Sequence, residues 1–175
     1  MQTSFTDKGV VLKNSKTGEA DKIITILSQY HGLIVLRAPG ARRPTSKKAG
    51  HLDSLNLIRF HVTRSRSPQI LTQAETIHSF PYIKQNLDLT KKAFFCVEVI
   101  NQLAPQDEPD QTLFKSLENL LTALEQKENT DSLLIKFLSF LLRHFGYPLP
   151  KNQDLTNLIT AIEEISNRYL KSSHI

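Results

Sequence analysis

The stretch from residue 9 to residue 38, GVVLKNSKTGEADKIITILSQYHGLIVLRA, contains three short apolar segments separated by residues that favour turns. The segments GVVLKN, KIITILSQ and GLIVLRA are rich in Val, Ile, Leu and Thr, which are common in β-strands. Turn-forming residues lie between them at 15–18 and 31–32, and Pro39-Gly40 follows the third. The pattern predicts three consecutive strands.

Two further strands are predicted in the same half of the chain, LNLIRFHV at 55–62 and QILTQAETI at 69–77, with turn-forming residues at 65–68 between them. Five short strands joined by turns predict a small barrel. In the fourth strand, the odd positions from Leu55 and the even positions from Ile58 compete for the inner face. A β-bulge near Ile58 is one way to resolve this competition.

After residue 81 the apolar spacing changes from two residues to about 3.6, which is the period of an α-helix. This spacing predicts four helices, over 87–103, 112–126, 132–146 and 153–171. The third helix is expected to end at Gly146, and Asp131 and Asp154 are candidate N-caps of the last two. The predicted fold class is α+β, an N-terminal five-stranded barrel followed by an all-helical domain.

The two predicted domains, residues 1–80 and 81–175, differ in charge. The first carries 12 Lys and Arg against 5 Asp and Glu, a net +7, and the second carries 10 against 12, a net −2. A basic surface on one domain indicates an anionic partner such as nucleic acid. An acidic membrane surface and plain solubility are the alternatives.

The sequence lacks the usual motifs of enzymes and metal sites. Cys96 is its one cysteine and lies in the apolar run AFFCVEVI, so a buried hydrophobic role is expected. The chain has no C-x-x-C pair, no H-E-x-x-H motif, no Walker loop and no G-x-G-x-x-G. The acidic group Asp107, Glu108 and Asp110 is expected to be a solvated loop between helices rather than a Mg²⁺ site. We expect a protein that is not an enzyme and holds no metal or cofactor.

Targeting segments are also not apparent. The first twelve residues include charge and no sustained apolar run, and the longest apolar stretch, LLIKFLSFLL, is short and interrupted by Lys136. We therefore expect a soluble, cytoplasmic protein, associated with the nucleoid if its partner is DNA.

A basic loop, RAPGARRPTSKKAG at 37–50, follows the third predicted strand and contains no acidic residue. Its cations are Arg37, Arg42, Arg43, Lys47 and Lys48. In the OB-fold, a barrel of five strands, a charged groove follows the nucleic-acid backbone, and Arg suits bidentate phosphate contacts. Three more cations lie near another edge of the predicted barrel: Arg59, Arg64 and Arg66. All eight are candidate nucleic-acid contacts, with a merely solvated surface as the alternative.

Three strings in this half carry a family resemblance: GEADKIITILSQYHG at 18–32, GARRPTSKKAG at 40–50, and TQAE at 72–75 followed by FP at 80–81. In this order and spacing the chain resembles the RecO family of bacterial recombination mediators. The resemblance implies an N-terminal OB-fold, a helical domain, binding of single- and double-stranded DNA, and strand annealing. It also implies cooperation with RecR and single-stranded DNA-binding protein to load RecA. The family's DNA-contacting cations map onto the five cations of the basic loop.

The chain departs from the family at one place. Many members have a C-x-x-C...C-x-x-C zinc element after an LGY-like segment, whereas here FGYPLP at 145–150 leads directly to the last predicted helix. Two other functions fit the same features. One is a protein-binding adaptor whose helices take up a partner's peptide tail, and the other is an RNA-binding OB-fold protein.

Overall fold

The structure is a computed structural model and describes residues 4–63 and 68–166. Within these residues the strands are β1 (Ser4–Thr17), β2 (Asp21–Ser28), β3 (Gly32–Ala38), β4 (Leu57–Thr63) and β5 (Gln69–His78). A short 3-10 helix (Ala49–His51) lies between β3 and β4. The α-helices of the same residues are α1 (Pro81–Gln85), α2 (Leu87–Leu103), α3 (Gln111–Glu125), α4 (Thr130–His144) and α5 (Leu155–Ser166).

The five strands form a closed barrel in the order β1-β2-β3-β5-β4. Its neighbouring strands run antiparallel except β3 and β5, which share a short parallel contact at Leu36–Gln69 and Arg37–Ile70. A five-stranded barrel of this kind is the OB-fold. The predicted α+β class, an OB-fold barrel followed by helices, is therefore confirmed.

The structure resolves which face of β4 points inward. Ile58, Phe60 and Val62 are buried in the barrel core, whereas Arg59 between them is exposed. The pairing of β4 with β5 shifts register between Leu57 and Ile58, where the sequence allowed a bulge. The even positions therefore face the core, because side chains alternate along a strand.

Two compact units make up the chain. The barrel unit comprises Met1–Ser79 and Pro105–Lys115, and the helical unit comprises Phe80–Ala104 and Ser116–Ile175. The two-domain division at residue 80 stays a prediction, to which the structure adds that the segment from Pro105 belongs with the barrel.

This segment, residues 105–110, is called the strap below. Gln106 forms a parallel bridge with Leu33, and the Asp107 N–H donates to the Leu33 carbonyl oxygen at 2.9 Å. Asp110 accepts a hydrogen bond from the Leu113 N–H at 2.9 Å at the start of α3. Asp107 and Glu108 are exposed, as expected of a solvated loop between helices, and their segment is in addition paired to the edge of β3 that β5 leaves open near Leu33.

The helices bury apolar residues at the predicted helical spacing, which are Leu89, Ala93, Val97 and Ile100 on α2 and Leu113, Leu117, Leu120, Leu121 and Leu124 on α3. On α2 the buried surface is wider than one stripe, because Phe95, Cys96 and Val99 are also buried. Burial raises the pKa of the Cys96 thiol, as expected for a cysteine that packs as a hydrophobic residue. On α5, Leu158 and Ile162 are buried, whereas residues 167–171 of the predicted helix lie outside the described residues.

The helix caps were partly predicted. Asp154 accepts a hydrogen bond from the Asn157 N–H at 2.8 Å, which confirms its role before α5. The prediction for α4 is wrong, because Asn129 is the N-cap and accepts from the Ser132 N–H at 3.0 Å. Asp131 instead lies in the first turn and accepts from Lys92 Nζ at 3.4 Å. Asn and Asp are both favoured N-cap residues, and Asn129 caps α4 because it occupies the non-helical position just before the first turn.

The short helix α1 was missed by the sequence analysis. It begins at Pro81 after Phe80, which has a left-handed backbone conformation with a φ of 51°. The two carboxylate oxygens of Glu125 accept hydrogen bonds from the Tyr82 and Ile83 N–H groups, each at 3.0 Å. A side chain 42 or 43 residues away thus satisfies the N–H groups at the start of α1, and no local pattern signals such a cap.

Candidate nucleic-acid interface

Because β3 includes Arg37 and Ala38, the basic loop in the structure is the connection from β3 to β4, residues 39–56. It contains four of the five predicted loop cations. Its Ala41 and Leu52 side chains are fully buried in the barrel core. The Leu55 N–H donates to the Val11 carbonyl oxygen at 2.8 Å, and Asn14 Nδ2 donates to the Leu52 carbonyl oxygen at 3.0 Å. The loop is therefore anchored to the barrel despite its glycine and proline content.

The basic loop is also joined to the turn between β1 and β2. The Arg42 N–H donates to the Ala20 carbonyl oxygen at 2.8 Å, and Arg42 Nη1 donates to the Gly18 carbonyl oxygen at 3.2 Å. Because both bonds come from one residue, they fix the position of Arg42 relative to the β1–β2 turn.

Asp21, the first residue of β2, connects the same parts of the barrel. Its carboxylate accepts from the Gly40 N–H at 2.8 Å and from Nε and Nη2 of Arg37 at 2.8 and 2.6 Å. The Gly40 N–H and the Arg37 guanidinium hold the pKa of Asp21 below its ordinary value, because both stabilise the charged carboxylate. Asp21 thus fixes the start of the basic loop against β2.

Two of the five predicted cations hold the fold together. Arg37 forms the ion pair with Asp21 just described. Lys48 Nζ donates to the carbonyl oxygens of Pro39 at 2.9 Å and Leu71 at 3.4 Å, and it is half-buried. Burial lowers the pKa of Lys48, because the charged form loses solvation. Both side chains are engaged in the folded barrel before any ligand binds.

The other three cations, Arg42, Arg43 and Lys47, point to solvent. Among the described residues, none of the three forms an ion pair with a carboxylate. Arg42 donates through one guanidinium nitrogen to Gly18, which leaves its other N–H groups available. The structure therefore brings together three accessible cations on one anchored loop.

Arg59 is exposed, but it belongs to a different surface. It lies on the outer face of β4, opposite Lys8 of β1 and Glu75 of β5, and lines a groove of about 170 Å³ with Thr6 and His61. Lys8 is nine positions along β1 from Thr17 at the β1–β2 turn, which at the usual rise per residue is up to about 30 Å. Arg42, by contrast, contacts Gly18 and Ala20 of that turn, so Arg59 and Arg42 lie beside different parts of the β1–β2 hairpin.

The predicted contacts Arg64 and Arg66 lie outside the described residues. Within residues 4–63 and 68–166, no group of three or more His, Cys, Asp or Glu side chains is placed to hold a metal ion. In the same ranges, every helix is too short or too polar to cross a membrane.

Two family models match most of the sequence. The model described as Recombination protein O N terminal matches residues 1–80, and the one described as Recombination protein O C terminal matches residues 85–155. The chain belongs to the RecO family. The strings that carry the resemblance in the N-terminal half form β2, the basic loop and the end of β5 of this RecO-family barrel.

Curated relatives named DNA repair protein RecO are similar to the chain. One from Dehalococcoides mccartyi is 30% identical over 169 residues, which are 97% of this chain and 66% of the relative. One from Pelotomaculum thermopropionicum is 34% identical over 115 residues, 66% of this chain and 45% of the relative. One from Myxococcus xanthus is 31% identical over 143 residues, 81% of this chain and 59% of the relative. The chain thus spans between 45% and 66% of the length of these RecO relatives.

Sequence reasoning missed two cations of this RecO-family barrel, Lys16 and Lys22. They are paired directly opposite each other on β1 and β2, on either side of the turn that Arg42 contacts. The string KTGEADK at 16–22 contains the signal, because a lysine on each side of a short turn is placed on one face of a hairpin. The prediction considered only cations that are close together in the sequence, so it did not include this pair.

Proposed function

We propose that this RecO-family chain binds single- and double-stranded DNA through its barrel and serves DNA repair and homologous recombination. In this proposal it anneals complementary strands and, with RecR, helps to load RecA onto DNA coated by single-stranded DNA-binding protein. It acts as a binding protein rather than an enzyme, in the cytoplasm at the nucleoid. Family membership and the relatives' name, DNA repair protein RecO, support the proposal.

The observation that carries the proposal is the group of three accessible cations, Arg42, Arg43 and Lys47, on an anchored loop. Guanidinium groups bind phosphate through two parallel hydrogen bonds, and an ammonium group adds a point charge. Because the loop backbone is already held by Val11, Ala20 and the Asp21 carboxylate, little conformational entropy is lost on binding. The loop is suited to hold a polyanion without reading its sequence.

Annealing follows from the same charges. Two complementary strands repel each other through their phosphates, and cations that neutralise one backbone release its counterions and weaken that repulsion. Base pairing then supplies the free energy for the reaction, so that no nucleotide hydrolysis is needed. This reasoning agrees with the lack of nucleotide-binding motifs in the sequence.

The salt dependence of binding tests the loop assignment. The affinity for a fluorescent single-stranded oligonucleotide is measured between 50 and 200 mM salt for the wild type and for the double variant Arg42→Ala/Arg43→Ala. Each phosphate contact contributes about 0.7 to the slope of log affinity against log salt, so the variant is expected to lose about 1.4. Over this fourfold salt range, the loss corresponds to about a sevenfold smaller change in affinity.

A matched control is Lys91→Ala/Lys151→Ala, which removes two exposed cations from the helical unit. The control should keep the wild-type slope, since neither lysine belongs to the barrel unit. An Arg42→Ala/Arg43→Ala variant with the wild-type slope would disprove the loop assignment. Competition between RNA and DNA of one sequence tests the alternative of an RNA-binding barrel, which predicts preference for RNA.

We propose a second activity for the helical unit, docking of the tail peptide of single-stranded DNA-binding protein. A groove of about 440 Å³ on α4 combines apolar Ile135 and Phe140 with the cations Lys136 and Arg143. The hydroxyl of Ser139 at this groove is buried and has no hydrogen-bond partner among the described residues. An apolar floor with cations beside it suits a peptide that offers an apolar side chain and its terminal carboxylate.

Titration with the tail peptide tests this activity. The peptide should shift amide signals of α4, and Lys136→Ala or Arg143→Ala should each weaken it about two- to fivefold, as expected for exposed charge pairs. Lys151→Ala is the control and should leave peptide affinity unchanged. Shifts confined to the barrel, or equal affinity in all variants, would refute docking at α4.

A further inference from the structure

The hairpin of β1 and β2 places two lysines directly opposite each other. Lys16 and Lys22 are Cα partners in the register, one pair before the Thr17–Asp21 pair that closes the ladder. Opposed residues in antiparallel strands have Cβ atoms about 5 Å apart, and like charges at this separation destabilise the sheet. The pairing therefore does not serve the stability of the hairpin.

No carboxylate among the described residues forms an ion pair with Lys16 or Lys22. Asp21, the neighbour of Lys22, is committed to Arg37 and the Gly40 N–H. Because side chains alternate along a strand, Asp21 also lies on the opposite face of β2 from Lys22. Lys16 and Lys22 therefore share one face of the hairpin, and Asp21 lies on the other face.

The pair lies at the end of the barrel that the basic loop covers. Lys22 is the register partner of Ala38, the last residue of β3 before the loop. It has the same strand parity as the core residues Ile24 and Ile26, so it follows directly beyond the buried positions of β2. Arg42 contacts the turn between the two lysines through Gly18 and Ala20, which makes the hairpin and the basic loop one connected surface.

We propose that Lys16 and Lys22 together hold a backbone phosphate of the bound DNA, next to the phosphates held by the basic loop. The proposal rests on the proposed DNA-binding function and extends its site from the loop across the β1–β2 hairpin. Two point charges on one face suit sequence-independent contact, because an ammonium group does not impose the planar geometry of a guanidinium. The bound phosphate relieves the repulsion that the free hairpin carries.

The substitution Lys16→Glu separates this role from a structural one. It replaces the like-charge pair by an opposite-charge pair, so the thermal midpoint should rise by about 1–4 °C. The new carboxylate also forms an ion pair with Lys22, so the affinity for a single-stranded oligothymidylate should fall, and the salt slope should decrease by about 0.7, the contribution of one phosphate. Lys16→Arg keeps the charge and should retain the wild-type slope.

The possible outcomes distinguish a phosphate site from a purely structural role of the two lysines. A raised midpoint with a reduced slope supports the phosphate site, and a raised midpoint with the wild-type slope overturns it. Should Lys16→Glu fail to fold, Lys16→Gln gives the same test with a slope decrease of about 0.7. A wild type without salt-dependent DNA binding would instead refute the proposed function. A wild type that binds, with loss in Arg42→Ala/Arg43→Ala and none in the hairpin variants, would refute this inference alone.

Discussion

The substitution Gly32→Ala tests the pairing of the strap with the barrel. Gly32 begins β3 with a φ of +71°, and a Cβ added there would lie 1.8 Å from the Glu108 carbonyl oxygen and 2.5 Å from its carbonyl carbon. The strap must therefore move away, and the hydrogen bond from the Asp107 N–H to Leu33 is lost. A left-handed alanine costs about 1–2 kcal/mol and the lost bond about 1 kcal/mol, so we expect the unfolding free energy to fall by about 2–3 kcal/mol.

Two other glycines provide matched controls. Gly18 has a φ of +54° with no atom within 4 Å of an added Cβ, so Gly18→Ala should show the backbone cost alone, about 1–2 kcal/mol. Gly50 has open space and no positive φ, so Gly50→Ala should change the unfolding free energy little. Urea unfolding followed by circular dichroism measures all three. Hydrogen exchange of the Asp107 amide adds a local measurement, since this amide should lose protection in Gly32→Ala.

The reasoning fails if Gly32→Ala costs no more than Gly18→Ala and the Asp107 amide stays protected. This result would mean that the strap does not lie against β3 as described.

Three further predictions concern single side chains. Asn129→Ala should lower the unfolding free energy by about 1 kcal/mol through loss of the α4 cap, whereas Asp131→Ala should cost clearly less in the same urea titration. Glu125→Ala should cost about 1–2 kcal/mol, because two N–H groups of α1 lose their acceptor, and amide exchange of α1 should speed up. Asp21 has a lowered folded pKa, so its stabilising effect is complete above its ordinary pKa of 3.8 and is lost as the pH falls through the lowered value. Thermal midpoints of wild type and Asp21→Asn should therefore differ at pH 7 and converge in stronger acid.

Most elements of the fold could be predicted from local spacing. Strands β2 and β3 are short runs rich in Ile, Leu, Val and Thr between turn-forming residues, and helices α2 to α4 show the apolar period of about 3.6 residues. The helix α1 could not be predicted this way, because its first N–H groups are satisfied by Glu125 from another helix. The pairing of the strap with β3 could not be predicted either, because a bridge to Leu33 leaves no periodic pattern in the sequence.

The candidate site could also be predicted only in part from the sequence. Composition alone identified the basic loop, since its cations are close together in the chain. Composition could not separate Arg37 and Lys48, which are engaged in the fold, from Arg42, Arg43 and Lys47, which are accessible. It also could not place Arg59, whose distance from the loop is set by the strand register.

The sequence by itself determined the strands, the helices and the location of the positive charge, because these depend on residues that are neighbours along the chain. Only the tertiary structure decided which cations are available for an anion. Asp21, which pairs with Arg37, lies 16 residues before it in the chain. Leu71, whose carbonyl oxygen accepts from Lys48, lies 23 residues after Lys48. The accessible surface of Arg42, Arg43, Lys47 and Lys16 is therefore a consequence of strand register and loop anchoring, which bring distant groups within hydrogen-bond distance.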